Sequence, residues 1–403
     1  MNERVVITGY GIISSIGFDA REVLDSLMSG RSGIGGITRF DSIHKGKLPM
    51  AEVKRSDEEL LELCGLENLK KYTRTTLLGL VAAKQALRMA GIKEPGSRTG
   101  LISATTVGGM DRTENFYPLF LENTSKGKLS GVVNHDCGDS TEKIAECLGI
   151  SGFTTTISTA CSSSANSIML GSEMLKAGML DYVIAGGTDS VTRFTLNGFN
   201  TLMILDKEGC RPFDENRAGL TIGEGAAFVV LEPERLALQK GNRIYGVISG
   251  YGNANDAYHQ TASSPEGTGA TMAMSKALEM SGLDIGSISY INVHGTGTQN
   301  NDLSEGIAVQ KIFGENVPPF SSTKSYTGHT LGAAGAIEAV ISLMSIENSC
   351  LFPNLRWSTP MKELVISPLK SLTEGVRVDH VLSNSFGFGG NNSTIIISKY
   401  NPV

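Results

Sequence analysis

The stretch Val5-Val6-Ile7-Thr8-Gly9-Tyr10-Gly11 returns near the middle of the chain as Gly246-Val247-Ile248-Ser249-Gly250-Tyr251-Gly252. Each copy is a short β-branched run stopped by glycines, the pattern of a buried strand. An apolar run, a hydroxyl and Gly-Tyr-Gly in the same order twice is what an internal duplication leaves behind. Each half then reaches a hydroxyl-rich strand end followed by a helix of small residues. In the first half, residues 154–158 run through Cys161 into a helix predicted over 162–180, where Ile168, Leu175 and Met179 fall at helical spacing, and a strand is predicted over 181–187. In the second half, Ser321-Ser322-Thr323 leads to Lys324, and a helix is predicted over 332–346. Alternating strands and helices predict an α/β chain with buried, largely parallel sheets. Two related halves, residues 1–243 and 244–403, would pack as a layered α/β/α/β/α body. The seam is placed near 239–244, where Gly241-Asn242 offers a turn and no Pro/Ser-rich spacer intervenes.

Composition bounds what such a body does. At 403 residues the chain exceeds the ~250–300 at which one core stops growing, in keeping with two fused halves. Apolar residues make up 40% and charged residues 19%, a globular balance. A formal net charge of −6 with no Lys/Arg-rich run argues against a nucleic-acid or anionic-membrane surface. The N-terminal MNERVVITGYG lacks a basic segment followed by a long apolar one, so no signal peptide is expected. No window approaches 18 uninterrupted apolar residues, so no membrane insertion is expected either. The six cysteines, Cys64, Cys137, Cys147, Cys161, Cys210 and Cys350, show no metal-ligand spacing. They read as reduced thiols of a cytoplasmic protein, with no metal expected.

Four segments could carry chemistry. Cys161, in Ser158-Thr159-Ala160-Cys161-Ser162-Ser163, sits between a predicted strand and helix. Unpaired amides and the helix dipole there favour a thiolate nucleophile, although a small buried core cysteine fits the same spacing. His294 ends the apolar run Tyr290-Ile291-Asn292-Val293 and opens into Gly295-Thr296-Gly297-Thr298, the strand end at which α/β sheets bind ligands. A surface histidine before a glycine turn is the alternative. Lys324 and His329 lie five apart in Lys324-Ser325-Tyr326-Thr327-Gly328-His329, among small and hydroxyl residues poor in other charge. A buried, hydrogen-bonded pair fits that setting; lone Lys and His residues are otherwise usually solvated. Finally, Asn384-Ser385-Phe386-Gly387-Phe388-Gly389-Gly390-Asn391-Asn392 sets phenylalanine between glycines, either a swinging aromatic or an ordinary plug.

Together with Cys210-Arg211-Pro212-Phe213-Asp214 and Gly223-Glu224-Gly225-Ala226, these segments resemble the β-ketoacyl-acyl carrier protein synthases of the elongating type (synthases I and II), of the thiolase-like superfamily. The likeness runs from about residue 4 to 398 with the segments in the family's order. It implies that Cys161 accepts the acyl group, that His294 and His329 face a malonyl thioester, and that the backbone amides of Cys161 and Phe388 form an oxyanion hole. It also implies that Glu305 is the family's acidic position, a partner for Lys324, and that Thr296 and Thr298 bind the phosphopantetheine arm; a Lys324 ammonium nearby would discourage His329 from gaining a positive charge and so tune it. Phe388, with Phe386 beside it, matches the gating aromatic of the acyl pocket, and Val107 the residue limiting its depth. The implied partners are acyl carrier protein, acyl and malonyl thioesters, and a second copy of the chain or a homologous chain-length factor. No cofactor is implied beyond the carrier's phosphopantetheine.

Competing classes are separated by single residues. A synthase III would carry Asn in place of one histidine, a chain-length factor would lack the cysteine, and a degradative thiolase would call for a second cysteine within 384–392. The departure is Gly389-Gly390-Asn391-Asn392, where housekeeping fatty-acid synthases more often show Gly-Gly-Thr-Asn, and His294-Gly295-Thr296-Gly297 also resembles ketosynthases of polyketide or polyene pathways.

Overall fold

The N-terminal run forms β1 (Val5–Ser14), buried at every position, in a computed structural model that describes residues 3–402. Met1 and Asn2, which open the N-terminal reading above, and Val403 lie outside the described residues. The first half continues with β2 (Thr99–Ala104), β3 (Thr154–Ile157), β4 (Tyr182–Asp189) and β5 (Gly225–Pro233). The second half holds β6 (Gly246–Asn255), β7 (Tyr290–Asn292), β8 (Phe320–Ser321), β9 (His380–Gly387) and β10 (Asn391–Ser398).

Strand order is β3-β2-β4-β5-β1 in one half and β8-β7-β9-β10-β6 in the other. The pairing senses also repeat. The first two pairings are parallel and the last two antiparallel in each half. This corrects the expectation of largely parallel sheets. Parallel neighbours need a crossover helix, and β9 and β10 are separated only by the turn Phe388–Gly390, so they can pair only as a hairpin. Three antiparallel pairs between β1 and β6 (Val5 with Ile248, Val6 with Val247, Ile7 with Gly246) join the halves into one ten-stranded sheet.

Helices α1 (Arg74–Met89) and α2 (Cys137–Leu148) cover the outer face of the first half, and α4 (Thr268–Ser281) and α5 (Gln299–Phe313) that of the second. Between them, α3 (Ser163–Lys176) and α6 (Ala334–Asn348) pack on each other and on both halves. The result is the five-layered α/β/α/β/α body. Strand β5 shows how a strand serves two layers: Ala226, Phe228 and Val230 enter the outer core while Ala227, Val229 and Leu231 enter the central one.

The Gly-Tyr-Gly echo has a packing reason. A Cβ at Gly9 or Gly11 would lie 2.4 or 2.0 Å from the carbonyl oxygens of Ala86 or Ala82 on α1. At Gly250 and Gly252 it would lie 2.2 Å from those of Ala277 and Ala273 on α4. Each half therefore needs the same bare backbone to seat its outer helix.

Three elements differ in their bounds from the sequence reading, α6 by running over 334–348 rather than 332–346. Helix α3 ends at Lys176, with Gly178 in a left-handed conformation, so Met179 lies beyond it and is exposed. Strand β4 runs on to Asp189, two residues past the expected end. Among the described residues, no helix is long and apolar enough to cross a membrane, and no group of three or more His, Cys, Asp or Glu could hold a metal ion.

Candidate active site

Strand β3 ends at Ile157, and the chain then turns sharply through Ala160, whose φ of +53° is unusual for a residue with a Cβ, to present Cys161 two residues before α3 begins. Burial pushes the Cys161 thiol up to about 12. The Lys324 ammonium and the backbone N–H groups of Phe388 and Cys161 pull the other way. That direction runs against the expectation of a thiolate favoured by the helix terminus. The helix starts at Ser163, one residue later than that reading assumed, and desolvation outweighs the pull of the Lys324 charge and of the two N–H groups.

His294 follows β7, and the turn after it is held by a carboxylate. Glu305 on α5 accepts the backbone N–H of His294 and of Gly295, each at 2.8 Å, and the Asn384 side-chain amide at 3.0 Å. Burial pushes Glu305 up to about 7, against the pull of those donors. Glu305 does not pair with Lys324, contrary to the sequence expectation. Both oxygens point at the backbone of the turn, and the Lys324 ammonium lies elsewhere. It donates to the His294 carbonyl oxygen at 2.7 Å and forms an ion pair with Glu338 on α6. Lys324 and Glu338 are 1% and 2% exposed at their side chains, so this is a fully desolvated pair.

The two imidazoles meet with ring centroids 5.3 Å apart and planes at 86°. Both are held well below the usual histidine range, first by burial and then by the Lys324 ammonium, so both are neutral. The Leu331 N–H donates to His329 Nδ1 at 3.1 Å, which leaves the proton of a neutral ring on Nε2. His294 Nδ1 is buried and has no hydrogen-bond partner.

Cys161, His294, His329, Thr296, Thr298 and Phe388 share the wall of one cavity of about 360 Å³. Phe386 also lines it, its ring 5.8 Å from that of His294. The hydroxyls of Thr296 and Thr298 lie 2.9 Å apart. Phe388 stacks on Phe199 at 5.9 Å, an aromatic partner that spacing did not reveal. Lys324 stands behind the histidines rather than in the cavity wall. Val107 is buried outside this cavity, its N–H donating to Asp189 at 3.0 Å. Asp189 also accepts the N–H of Gly332 at 2.6 Å, two residues from Thr330 in the turn that carries His329.

Sequence reasoning missed Glu338, Asp189 and Phe199. For Glu338 a signal existed: it is the one charged residue between Ala334 and Ile346 of a helix buried along that length. An acidic side chain there requires a buried cation.

This arrangement can form a covalent thioester and stabilise a developing oxyanion. Comparisons with known proteins identify the family. Residues 2–237 match the β-ketoacyl synthase N-terminal domain and residues 245–358 the β-ketoacyl synthase C-terminal domain. The chain is 33% identical over 411 aligned residues to 3-oxoacyl-[acyl-carrier-protein] synthase 2 of Staphylococcus aureus (strain COL), with 99% of each covered. Among solved structures it is similar to the ishigamide ketosynthase/chain length factor, with a TM-score of 0.94 and 32% identity over 100% of both chains. A type II polyketide ketosynthase in complex with its acyl carrier protein and bound to the hexaketide matches with a TM-score of 0.89 and 25% identity, covering 99% of this chain and 100% of that one. With its strand order, its five layers and both domain matches, this chain belongs to the β-ketoacyl synthase family of acyl-transferring condensing enzymes.

Proposed function

We propose that the chain is a 3-oxoacyl-[acyl-carrier-protein] synthase that elongates fatty acids by decarboxylative condensation of a malonyl thioester with an acyl group held on Cys161. The observation that carries this reading is one cavity walled by a buried cysteine and two neutral imidazoles, with a desolvated Lys324 behind them. In the first stage the Cys161 sulfur attacks the acyl thioester, a new C–S bond forms, and the carrier's sulfur leaves with the thiol's proton. The N–H groups of Cys161 and Phe388 stabilise the intermediate oxyanion. In the second stage the malonyl carbon–carboxylate bond breaks, carbon dioxide leaves, and the enolate oxygen is met by N–H donors of His294 and His329. The enolate carbon then attacks the Cys161 thioester, and the sulfur departs and regains a proton.

Lys324 keeps both rings uncharged, because an imidazolium beside it would place two positive charges in a dry site. Thr296 and Thr298 receive the phosphopantetheine arm of the acyl carrier protein, Phe388 gates the acyl pocket beside Phe386, and Val107 limits its depth. No metal or cofactor of the chain's own enters the scheme. The halves divide at residues 243 and 244, between the two domain matches. The protein works in the cytoplasm as a homodimer, the self-association supported by the half-buried edge strand β3 and by exposed Leu119, Leu121, Leu129 and Val133.

A second reading is a specialised ketosynthase that works with a chain-length factor. It is favoured by the likeness to the ishigamide ketosynthase/chain length factor and by Asn391-Asn392. Intact-mass measurement of the full chain incubated with acyl-loaded carriers of graded length tests the main proposal, with Cys161→Ala as control. An acyl adduct on Cys161 is expected; no adduct there sinks it. An obligate heterodimer on purification would favour the second reading over the first.

A further inference from the structure

The departure at residue 391 has a structural use. Asn391 opens β10 directly after the glycine turn that carries Phe388, with Gly389 and Gly390 at φ of 82° and 76°. Its side-chain oxygen is met by three donors: the Ser162 hydroxyl at 2.6 Å, the Asn166 amide at 3.1 Å and the Asn253 amide at 3.1 Å. Two of these are amide N–H groups that only donate, so the oxygen of Asn391, not its nitrogen, must face them. The orientation of Asn166 is set in turn, because its own oxygen accepts from the Ser393 hydroxyl at 2.7 Å and from the Asn253 amide at 3.0 Å. Its nitrogen reaches the Thr159 hydroxyl at 2.8 Å.

One oxygen on β10 thus ties the cysteine segment at 162–166 to the end of β6, parts of the chain far apart in sequence. Ser162 is the neighbour of Cys161, Asn166 is on the first turn of α3, and Asn253 is near the end of β6. The turn they hold is packed hard on the cysteine segment. A Cβ at Gly387 would lie 3.0 Å from the Thr159 carbonyl oxygen and 3.1 Å from the Cys161 nitrogen. Phe388, one residue on, shares the cavity wall with Cys161.

We infer that Asn391 is a positioning residue for acyl transfer: its side-chain oxygen fastens the Phe388 turn to the cysteine segment, so that the Phe388 backbone stays seated beside the reacting cysteine. This rests on the proposed function. The imidazoles are held by other groups, Glu305 around His294 and the Leu331 N–H on His329, so loss of the Asn391 oxygen leaves the decarboxylating side in place.

The test uses the full chain and two probes: octanoyl-N-acetylcysteamine, for loading of Cys161 followed by intact mass, and malonyl-N-acetylcysteamine alone, for carbon dioxide release. Asn391→Leu, which removes the acceptor, is expected to slow loading roughly 10- to 100-fold, the scale of a misaimed oxyanion donor, with carbon dioxide release at the wild-type rate. Asn391→Asp, which keeps acceptor oxygens for all three donors, is expected to restore loading. Asn253→Ala removes one donor at an exposed position and keeps the test informative if Asn391→Leu does not fold; a smaller loss, again confined to loading, is expected. Loading at the wild-type rate in Asn391→Leu or, where that chain does not fold, in Asn253→Ala overturns the inference. So do parallel losses in both half-reactions, or an Asn391→Asp chain as slow as Asn391→Leu. A wild-type chain that never loads at Cys161 overturns the proposed function itself, whereas a wild-type chain that loads with an indifferent Asn391 overturns this inference alone.

Discussion

Past the end of β3 the chain turns through Ala160 and presents a thiol; past the end of β8, the equivalent place in the second half, it presents Lys324 and then His329. Past β2 come Thr105 to Val107, held by the carboxylate of Asp189, and past its counterpart β7 comes His294, its turn held by the carboxylate of Glu305. The architecture is duplicated while the chemistry is divided. The first half offers the nucleophile, framed by its own backbone N–H and by that of Phe388 from the second half, and the second half concentrates the buried side chains Lys324, Glu338 and Glu305 around two imidazoles. A duplicated scaffold brings equivalent strand ends face to face across α3 and α6, so two half-reactions with different electrostatic needs can share one cavity.

The sharpest way to break this division is to remove the nucleophile. Cys161→Ala is expected to lower condensation by at least about 10⁴-fold while the chain still releases carbon dioxide from a malonyl thioester. Loss of both activities together would show that the halves do not divide the work. Next comes Lys324→Ala, which should reduce malonyl decarboxylation by roughly 10²- to 10³-fold and acyl loading far less. It also leaves Glu338 buried without a partner, at a cost of about 3–5 kcal/mol in stability. Lys324→Met with Glu338→Leu removes both charges, so it should regain most of that stability without regaining decarboxylation. Equal losses in loading and decarboxylation would discard the role given to Lys324.

Acidity sharpens the contrast. Because burial places the Cys161 thiol at about 12, the reactive thiolate fraction, and with it the loading rate, should rise by about tenfold per pH unit between pH 7 and 9. Decarboxylation should show no imidazole titration between pH 6 and 7, since both rings are already neutral there. Stability carries the same signature with a definite sign. Below the ordinary histidine value of 6.5 the unfolded chain binds protons that folded His294 and His329 refuse, so these two groups lower stability as pH falls through that point. Rates for the two half-reactions that climb in parallel would remove the contrast.

How much of this was legible in the sequence depends on what each residue touches. Cys161, His294, Lys324 and His329 stand out because each interrupts a strand end or a run of small residues, and strand ends can be read from periodicity. The Gly-Tyr-Gly echo was legible as a pattern, and its cause, the close seating of α1 and α4, needed coordinates. The partner of Lys324 was misread because the choice between Glu305 and Glu338 is made by tertiary packing: one carboxylate is taken up by backbone N–H groups, which sequence does not display. The sense of β5 and β10 escaped for a similar reason. An apolar run looks the same whichever way its neighbour runs, and only the length of the connection between β9 and β10 carries the information.

The smallest expected effect concerns the first half alone. Val107 lies outside the cavity and Phe388 is stacked on Phe199; under the proposed gating, Val107 would act through space opened when that stack is broken. Val107→Phe should therefore leave carbon dioxide release from a malonyl thioester unchanged and disfavour loading of long acyl chains relative to short ones by about tenfold, the low end of what a methylene-sized loss of room costs in an apolar pocket. The extra ring also overpacks a buried site, at about 1–3 kcal/mol, so the comparison is made as a ratio of chain lengths within the one variant, where a stability loss cancels. A chain-length profile identical to wild type would remove Val107 from the acyl pocket while leaving Cys161 and its cavity as they are.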